Sequence, residues 1–204
     1  EVRFRSRVAA TGTPLTKYTD PSDGSDYLYT LLVPADAHAL FPCFDQPDLR
    51  AEFRLTLTMP SDWVAIGNTD GNRPPEDDGM VRTSELVGTD RRIACFGPTK
   101  PLPTYLFTFA AGPFEQIDDS APAGIRPLET RPLRMSLRRS QRSFAEVDRL
   151  FAMHREALAR LEDWFDIPYP FGKLEFVLIP GFPYGGMEHA GAIFYRESAL
   201  VFER

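Results

Sequence analysis

Along the first two thirds of the chain, apolar and polar residues alternate with a period of two. Val2, Phe4 and Val8 alternate with Arg3, Arg5 and Arg7, and the pattern returns at Tyr27, Tyr29, Leu31 and Val33. It is cleanest where Phe53, Leu55, Leu57 and Met59 alternate with Arg54, Thr56 and Thr58. Tyr105, Phe107 and Phe109 repeat it around Leu106, Thr108 and Ala110. Successive strand side chains point to opposite faces, so each run predicts a strand with one buried face. Breaker clusters rich in Gly, Pro, Asp and Asn lie between the runs, from Asp20 to Asp26, Asn68 to Gly79, Gly97 to Pro103 and Ser120 to Gly124. Short strands punctuated in this way predict an antiparallel β-sandwich.

The period then changes. Ser143-Phe144-Ala145-Glu146 fits a capping box. After it, Val147, Phe151, His154, Leu158, Leu161 and Phe165 fall at steps of 4, 3, 4, 3 and 4, one apolar face of a helix over 143–165. Pro168 and Pro170 end that helix. An apolar run from Leu174 to Ile179 predicts a buried strand, and Ala192 to Tyr195 predicts another beyond a glycine-rich stretch. The chain thus reads as mainly β with an α+β C-terminal part: a β-sandwich domain over 1–120 and a second domain over 121–204.

Composition narrows the function classes. The 204 residues carry a net charge of −6, against the basic surface that broad nucleic-acid binding requires. An aromatic content of 12% gives a core large enough to exclude disorder. The longest uncharged run, Pro101 to Phe114, is 14 residues and broken by prolines, short of the ~20 apolar residues of a membrane span. Cys43 and Cys95 read as buried free thiols. None of the three histidines, His38, His154 and His189, pairs with another at helical spacing, so no zinc site is expected from this chain. His154 reads as a packed or partner-facing residue, His38 as a surface one, and Glu76-Asp77-Asp78 as a solvated turn. Neither a Gly-x-Ser-x-Gly elbow nor a phosphate-binding Gly-x-x-x-x-Gly-Lys loop occurs. The chain starts at Glu1 with no signal-like stretch, so its start is read as cut or processed, and the compartment stays open between cytoplasm and an exported parent.

Two segments remain: Phe41-Pro42-Cys43-Phe44-Asp45-Gln46-Pro47, and Gly181-Phe182-Pro183-Tyr184-Gly185-Gly186-Met187-Glu188-His189-Ala190-Gly191-Ala192. In the second, glycines bracket one carboxylate in a stretch otherwise uncharged from Phe176 to Met187. Missing side chains let another backbone come close. A carboxylate there either closes an ordinary salt bridge at a turn or waits for a cation from outside.

The first segment is similar to the Phe-Pro-Cys-Phe-Asp-Glu-Pro run of the gluzincin zinc aminopeptidases, the group of aminopeptidase N and leukotriene hydrolase. Gly185-Gly186-Met187-Glu188-His189 resembles their Gly-x-Met-Glu-Asn exopeptidase motif. Tyr105-Leu106-Phe107, Gly112-Pro113-Phe114 and Tyr169-Pro170-Phe171 occur in the same order as in that family. The resemblance runs from about Tyr27 to Phe202. It implies an N-terminal β-domain followed by the opening of a thermolysin-like catalytic domain, with zinc held by His-Glu-x-x-His and a later Glu in the full-length parent. It also implies that Gly185, Gly186 and Met187 offer main chain to a peptide, with Glu188 gripping its free amino group beside His189. His189 stands where the family has Asn, and Val33 where many members have Gln or Glu.

The expectation is therefore an internal piece of a zinc aminopeptidase, ending before the zinc motif. Alone it would be inactive and bind no zinc. Its partners would be a peptide with a free N-terminus and the remainder of the catalytic domain, without nucleic acid and without a membrane span. Exposed apolar surface would favour self-association of the piece. The alternatives are a non-catalytic aminopeptidase-like scaffold and a plain β-sandwich binding module.

Overall fold

A computed structural model of the chain describes residues 1–10, 13–70, 90–122 and 132–202. Two compact units divide it, Glu1–Phe114 and Glu115–Arg204. The acidic run Glu76-Asp77-Asp78 and parts of two breaker clusters lie outside the described residues.

The strands named in the first unit all pair antiparallel. β1 (Leu15–Thr19), β2 (Asp26–Thr30), β8 (Phe109–Gly112) and β5 (Val64–Gly67) form one sheet in that order. β4 (Leu55–Pro60) pairs with β6 (Arg91–Phe96), and the short β3 (Arg50–Ala51) with β7 (Leu102–Pro103). Along β4, burial follows the sequence pattern: Leu55, Leu57 and Met59 turn inward while Thr56, Thr58 and Pro60 stay exposed. Met59, Ala94, Phe96 and Ala111 form one core cluster, which joins the β4–β6 ribbon to the four-stranded sheet. A second cluster gathers Leu32, Ala37, Leu40 and Phe107, with Phe53 stacked on Phe107 at 4.7 Å between ring centroids. The sandwich expected from the alternation is present.

Two of the predicted strands take other forms. Residues 1–8 make no ladder with any described residue; the chain first pairs at Ala9, in a single bridge to Thr16. Val2, Phe4 and Val8 are exposed, because alternation yields a strand only where a neighbouring edge accepts its hydrogen bonds. Around Tyr105, Thr104–Leu106 closes a 3₁₀ turn through Phe107 N–H to Thr104 O at 3.1 Å, and the strand starts at Phe109. The side chain of Asn68 supplies the acceptor for Thr108 N–H at 2.9 Å.

The second unit is a mixed sheet covered by a helix. β9 (Phe114–Pro122), β10 (Pro132–Arg138), β11 (Glu175–Ile179), β13 (Ala192–Arg196) and β12 (Gly186–Met187) lie in that order across the sheet. β11 runs parallel to both β10 and β13, and β12 is antiparallel to β13. Helix α1 (Val147–Phe165) packs Val147, Leu150 and Phe151 against Leu133, Met135, Phe176 and Leu178. It starts three residues later than the capping box suggests. Arg139–Phe144 winds as a 3₁₀ turn and Ala145 is extended, so Glu146 takes the N-cap position, and its carboxylate accepts from Arg149 at 3.2 Å. The helix ends at Asp166, in the left-handed conformation at φ 51°, before Pro168. Only the first half of the apolar face is buried; Leu161, Trp164 and Phe165 are exposed.

Close packing across the first unit's main sheet sets a test. A Cβ on Gly112 would lie 2.7 Å from Tyr27 Cδ1 and 3.0 Å from Asp26 O, whereas one on Gly97 would meet nothing within 4 Å. Gly112→Ala should cost roughly 1–3 kcal/mol and Gly97→Ala well under half of that. Urea midpoints at unchanged slope would measure both.

Candidate functional site

Position 188 lies at the rim of the second unit's sheet, and three turns place it there. Gly181, at φ +65°, takes the chain out of β11. Residues 181–185 then loop into β12, where Gly186 pairs with Tyr195 and Met187 with Phe194. The return to β13 passes through Gly191 at φ +74°, a conformation glycine adopts without steric cost. This turn is fastened from two sides: Ala192 N–H donates to His189 O, and Glu175 N–H to Gly191 O, each at 3.1 Å.

Among the described residues β12 is the outermost strand of its sheet, so one row of its N–H and C=O groups faces away from β13. Met187 and Phe182 are buried and anchor the segment, while Gly185 and Gly186 are exposed. The two glycines have different reasons to lack side chains. A Cβ on Gly186 would crowd Tyr195 Cδ1 at 3.2 Å. One on Gly185 would touch nothing within 4 Å, and its φ is one that any residue adopts. Nothing in the described chain requires glycine at 185.

Glu188 is exposed and makes no hydrogen bond or ion pair with a described residue. The ordinary salt bridge that the sequence left open is not formed by any of them. Arg196, at the end of β13, is close in the chain but engaged elsewhere: its Nε donates to Phe182 O at 3.0 Å and Tyr184 O at 3.2 Å, its Nη2 donates to Pro183 O, and its backbone N–H donates to Gly185 O at 3.0 Å. Nothing in the sequence marks this arginine beyond its place after an apolar strand.

His189 is interior, 1% exposed, with its ring edge-on to Phe194 at 4.8 Å. Neither ring nitrogen finds a partner among the described residues, and burial drives its pKa down to about 3. His154 packs on α1, as expected: its ring stacks on Phe176 at 4.0 Å, Nδ1–H donates to Leu150 O at 2.7 Å, and Nε2 accepts from Tyr195 Oη at 3.3 Å. Burial lowers its pKa, which keeps this neutral tautomer.

Below the site, Glu175 is a carboxylate inside the sheet, 3% exposed. Ser136 Oγ donates to its Oε1 at 2.5 Å, Gln116 Nε2 donates to the same oxygen at 3.0 Å, and Lys173 Nζ donates to Oε2 at 3.0 Å. Glu197, adjacent to Arg196, is buried in a bidentate pair with Arg138.

The Phe41–Pro47 segment belongs to the first unit. Asp45 Oδ1 accepts from Thr104 Oγ1 at 2.5 Å, and Oδ2 accepts from His38 N–H at 3.0 Å and faces its Nδ1 at 3.1 Å. Burial pushes this carboxyl up, but the Thr104 and His38 bonds together outweigh it and hold it below the usual range. His38 is exposed, as expected, yet paired. Cys43 and Cys95 are free thiols but only half-buried; Cys43 borders a core cluster from its loop.

The family model for the peptidase M1 N-terminal domain matches residues 2–106, and the model for the peptidase family M1 domain matches residues 150–204. The chain belongs to the M1 peptidase family. It is 29% identical to aminopeptidase M1 of Arabidopsis thaliana over 192 residues, 91% of this chain and 19% of the relative. Aminopeptidase N of Streptomyces lividans is 29% identical over 187 residues, 92% and 20% respectively. Probable aminopeptidase 1 of Sulfurisphaera tokodaii is 31% identical over 201 residues, 98% and 23%. The chain spans about a fifth of the length of these M1 relatives. The M1 family is zinc-dependent, but no group of three or more His, Cys, Asp or Glu among the described residues could hold a metal ion. The described residues therefore do not fit zinc. No described helix is long and apolar enough to cross a membrane.

His189 gives a pH test. Its folded pKa lies below the ordinary 6.5, so the folded chain resists taking up the proton. The stability it contributes is intact above pH 6.5 and declines as pH falls toward 3, by at most about 1.4 kcal/mol per unit. Relative to His189→Phe, the wild type should lose roughly 2 kcal/mol of unfolding free energy between pH 7.5 and 5. A constant difference between the two would show that the ring has found a partner.

Proposed function

We propose that this chain forms part of a zinc-dependent aminopeptidase that removes N-terminal residues from peptides. Residues 1–120 belong to its N-terminal β-domain and 121–204 open its catalytic domain. In this reading the chain supplies the wall that holds the substrate's N-terminus, while the zinc ligands belong to other parts of the parent. The observation that carries it is Glu188, an exposed carboxylate without a partner among the described residues, set directly after the outermost strand of the sheet.

The chemistry follows from that placement. A peptide laid along β12 extends the sheet by main-chain hydrogen bonds, which do not depend on its sequence. Gly185 and Gly186 leave that approach open, and Met187 anchors the strand from below. At the strand's end the Glu188 carboxylate meets the free α-ammonium group, and a blocked or continuing chain would offer no charge there. Glu188 acts by its side chain; Gly185, Gly186, Met187 and His189 contribute main chain. The substrate is thereby measured from its N-terminus, which selects exopeptidase over internal cleavage. Exposed Leu161, Trp164 and Phe165 meet the remainder of the catalytic domain, and in the isolated chain they would favour self-association.

Glu188→Ala in the full-length protein should lower kcat/KM on peptides with a free N-terminus roughly ten- to hundredfold, the worth of a charge-assisted hydrogen bond of about 1.5–3 kcal/mol. Gly185→Val should lower it as well while leaving the melting temperature nearly unchanged, since a Cβ at 185 meets no described atom within 4 Å. Wild-type kinetics for Glu188→Ala would reject the amine-anchor role.

A further inference from the structure

The loop that feeds β12 has no strand partner, yet four consecutive carbonyls in it are held, all by one residue. Arg196 donates from Nε to Phe182 O and Tyr184 O, from Nη2 to Pro183 O, and from its backbone N–H to Gly185 O. We propose that Arg196 is the positioning residue of the substrate edge: it fixes the 182–185 loop, and through it the register of β12 and the placement of Glu188. This rests on the proposed function for what the edge binds.

The segment has few other means of staying in place. β12 pairs over two residues only, and short ladders fray at their ends. Gly185 makes no side-chain contact that could fix it, and glycine loses the most freedom on being ordered. Phe182 and Met187 anchor the two ends by burial, which holds the chain near the sheet without setting the path between them. The guanidinium sets that path. Its donors form a rigid planar fork, and bonds from a charged donor are stronger than neutral ones. No described carboxylate pairs with it, so its charge is spent on carbonyl dipoles. Its base is firm as well: Glu197, the next residue, is locked in the buried pair with Arg138. An anchor for a ligand must be held to within a fraction of an ångström to work, and the residues that hold it are part of the site.

The test uses Arg196→Lys and Arg196→Ala in the full-length protein. Lysine keeps the charge but presents a single point and cannot bridge three carbonyls. Amide exchange over 181–188 should quicken at least tenfold in the Lys variant while β11 amides stay protected. KM for a peptide with a free N-terminus should rise about tenfold with kcat within twofold. Adding Glu188→Ala to Arg196→Lys should cost little beyond Glu188→Ala alone. Should Arg196→Ala fail to fold, Arg196→Lys alone carries the test. Unchanged exchange over 181–188 in Arg196→Lys would overturn the clamp whatever the kinetics. Faster exchange with wild-type KM in Glu188→Ala would keep the clamp and reject the amine anchor.

Discussion

The placement of the second unit's outer strand hangs from β11. All five of its residues are buried, and it runs parallel to a strand on either side. A parallel strand must be covered on both faces, because its connections leave neither face to water. Phe176 and Leu178 meet α1 on one face, which fixes the strand's rotation. Its register with β13 then places Tyr195 opposite Leu178 and Arg196 opposite Ile179. Among the described residues β12 pairs with β13 alone, so the position of residues 186–188 is inherited from this buried pairing. A one-residue slip would turn every side chain of β13 to the other face and move the edge with it.

A buried carboxylate at the head of the same strand follows from that geometry. Glu175 begins β11 on the face away from α1, and burial alone would push its pKa up. The charge of Lys173 and the bonds from Ser136 and Lys173 more than reverse this, so it stays ionised inside the sheet. The stability it contributes is present above pH 4.5 and is lost as pH falls below that value. A buried ion group of this kind adds little net stability compared with an apolar one, but breaking it leaves an unpaired charge. Glu175 lends its backbone N–H to Gly191 O, so the network also stiffens the turn behind Glu188.

The sequence revealed what periodicity and breakers govern. β4, β11 and β13 were legible because their burial repeats at two or is continuous, and α1 because its apolar steps match a helical face. The pattern at Val2, Phe4 and Val8 misled because alternation records an amphipathic strip and says nothing of a neighbour to pair with. The apparent capping box failed for a related reason: Ser143 has the right side chain, but the backbone between Arg139 and Ala145 had already turned twice. At the site, Gly185 through His189 could be named from their resemblance to a motif, yet nothing local distinguished the exposed Glu188 from the buried His189 beside it. Arg196 was invisible, since an arginine that binds carbonyls leaves the same trace in a sequence as one that faces water.

The two motifs of this chain each contain one carboxylate, and they differ: one is bonded within its own loop, while the other is the residue proposed to meet the substrate's amine. The side chain of Asp45 is nearly buried, and both its oxygens are engaged by Thr104 and His38, so it staples its loop. Glu188 is exposed at a strand end, and both oxygens are uncommitted among the described residues. Folding energy explains the first completely: Thr104 and His38 recover the cost of burying Asp45. It does not explain the second, because an exposed glutamate without a partner adds nothing to the stability of the turn that carries it. Around it the chain spends a buried methionine, a left-handed glycine and all the donors used by Arg196 on holding one short strand at the outside of the sheet. An edge strand with open hydrogen-bonding groups is a hazard for aggregation unless something else pairs with it. In the proposed function that pairing partner is the ligand, and Glu188 reads the charge at its end.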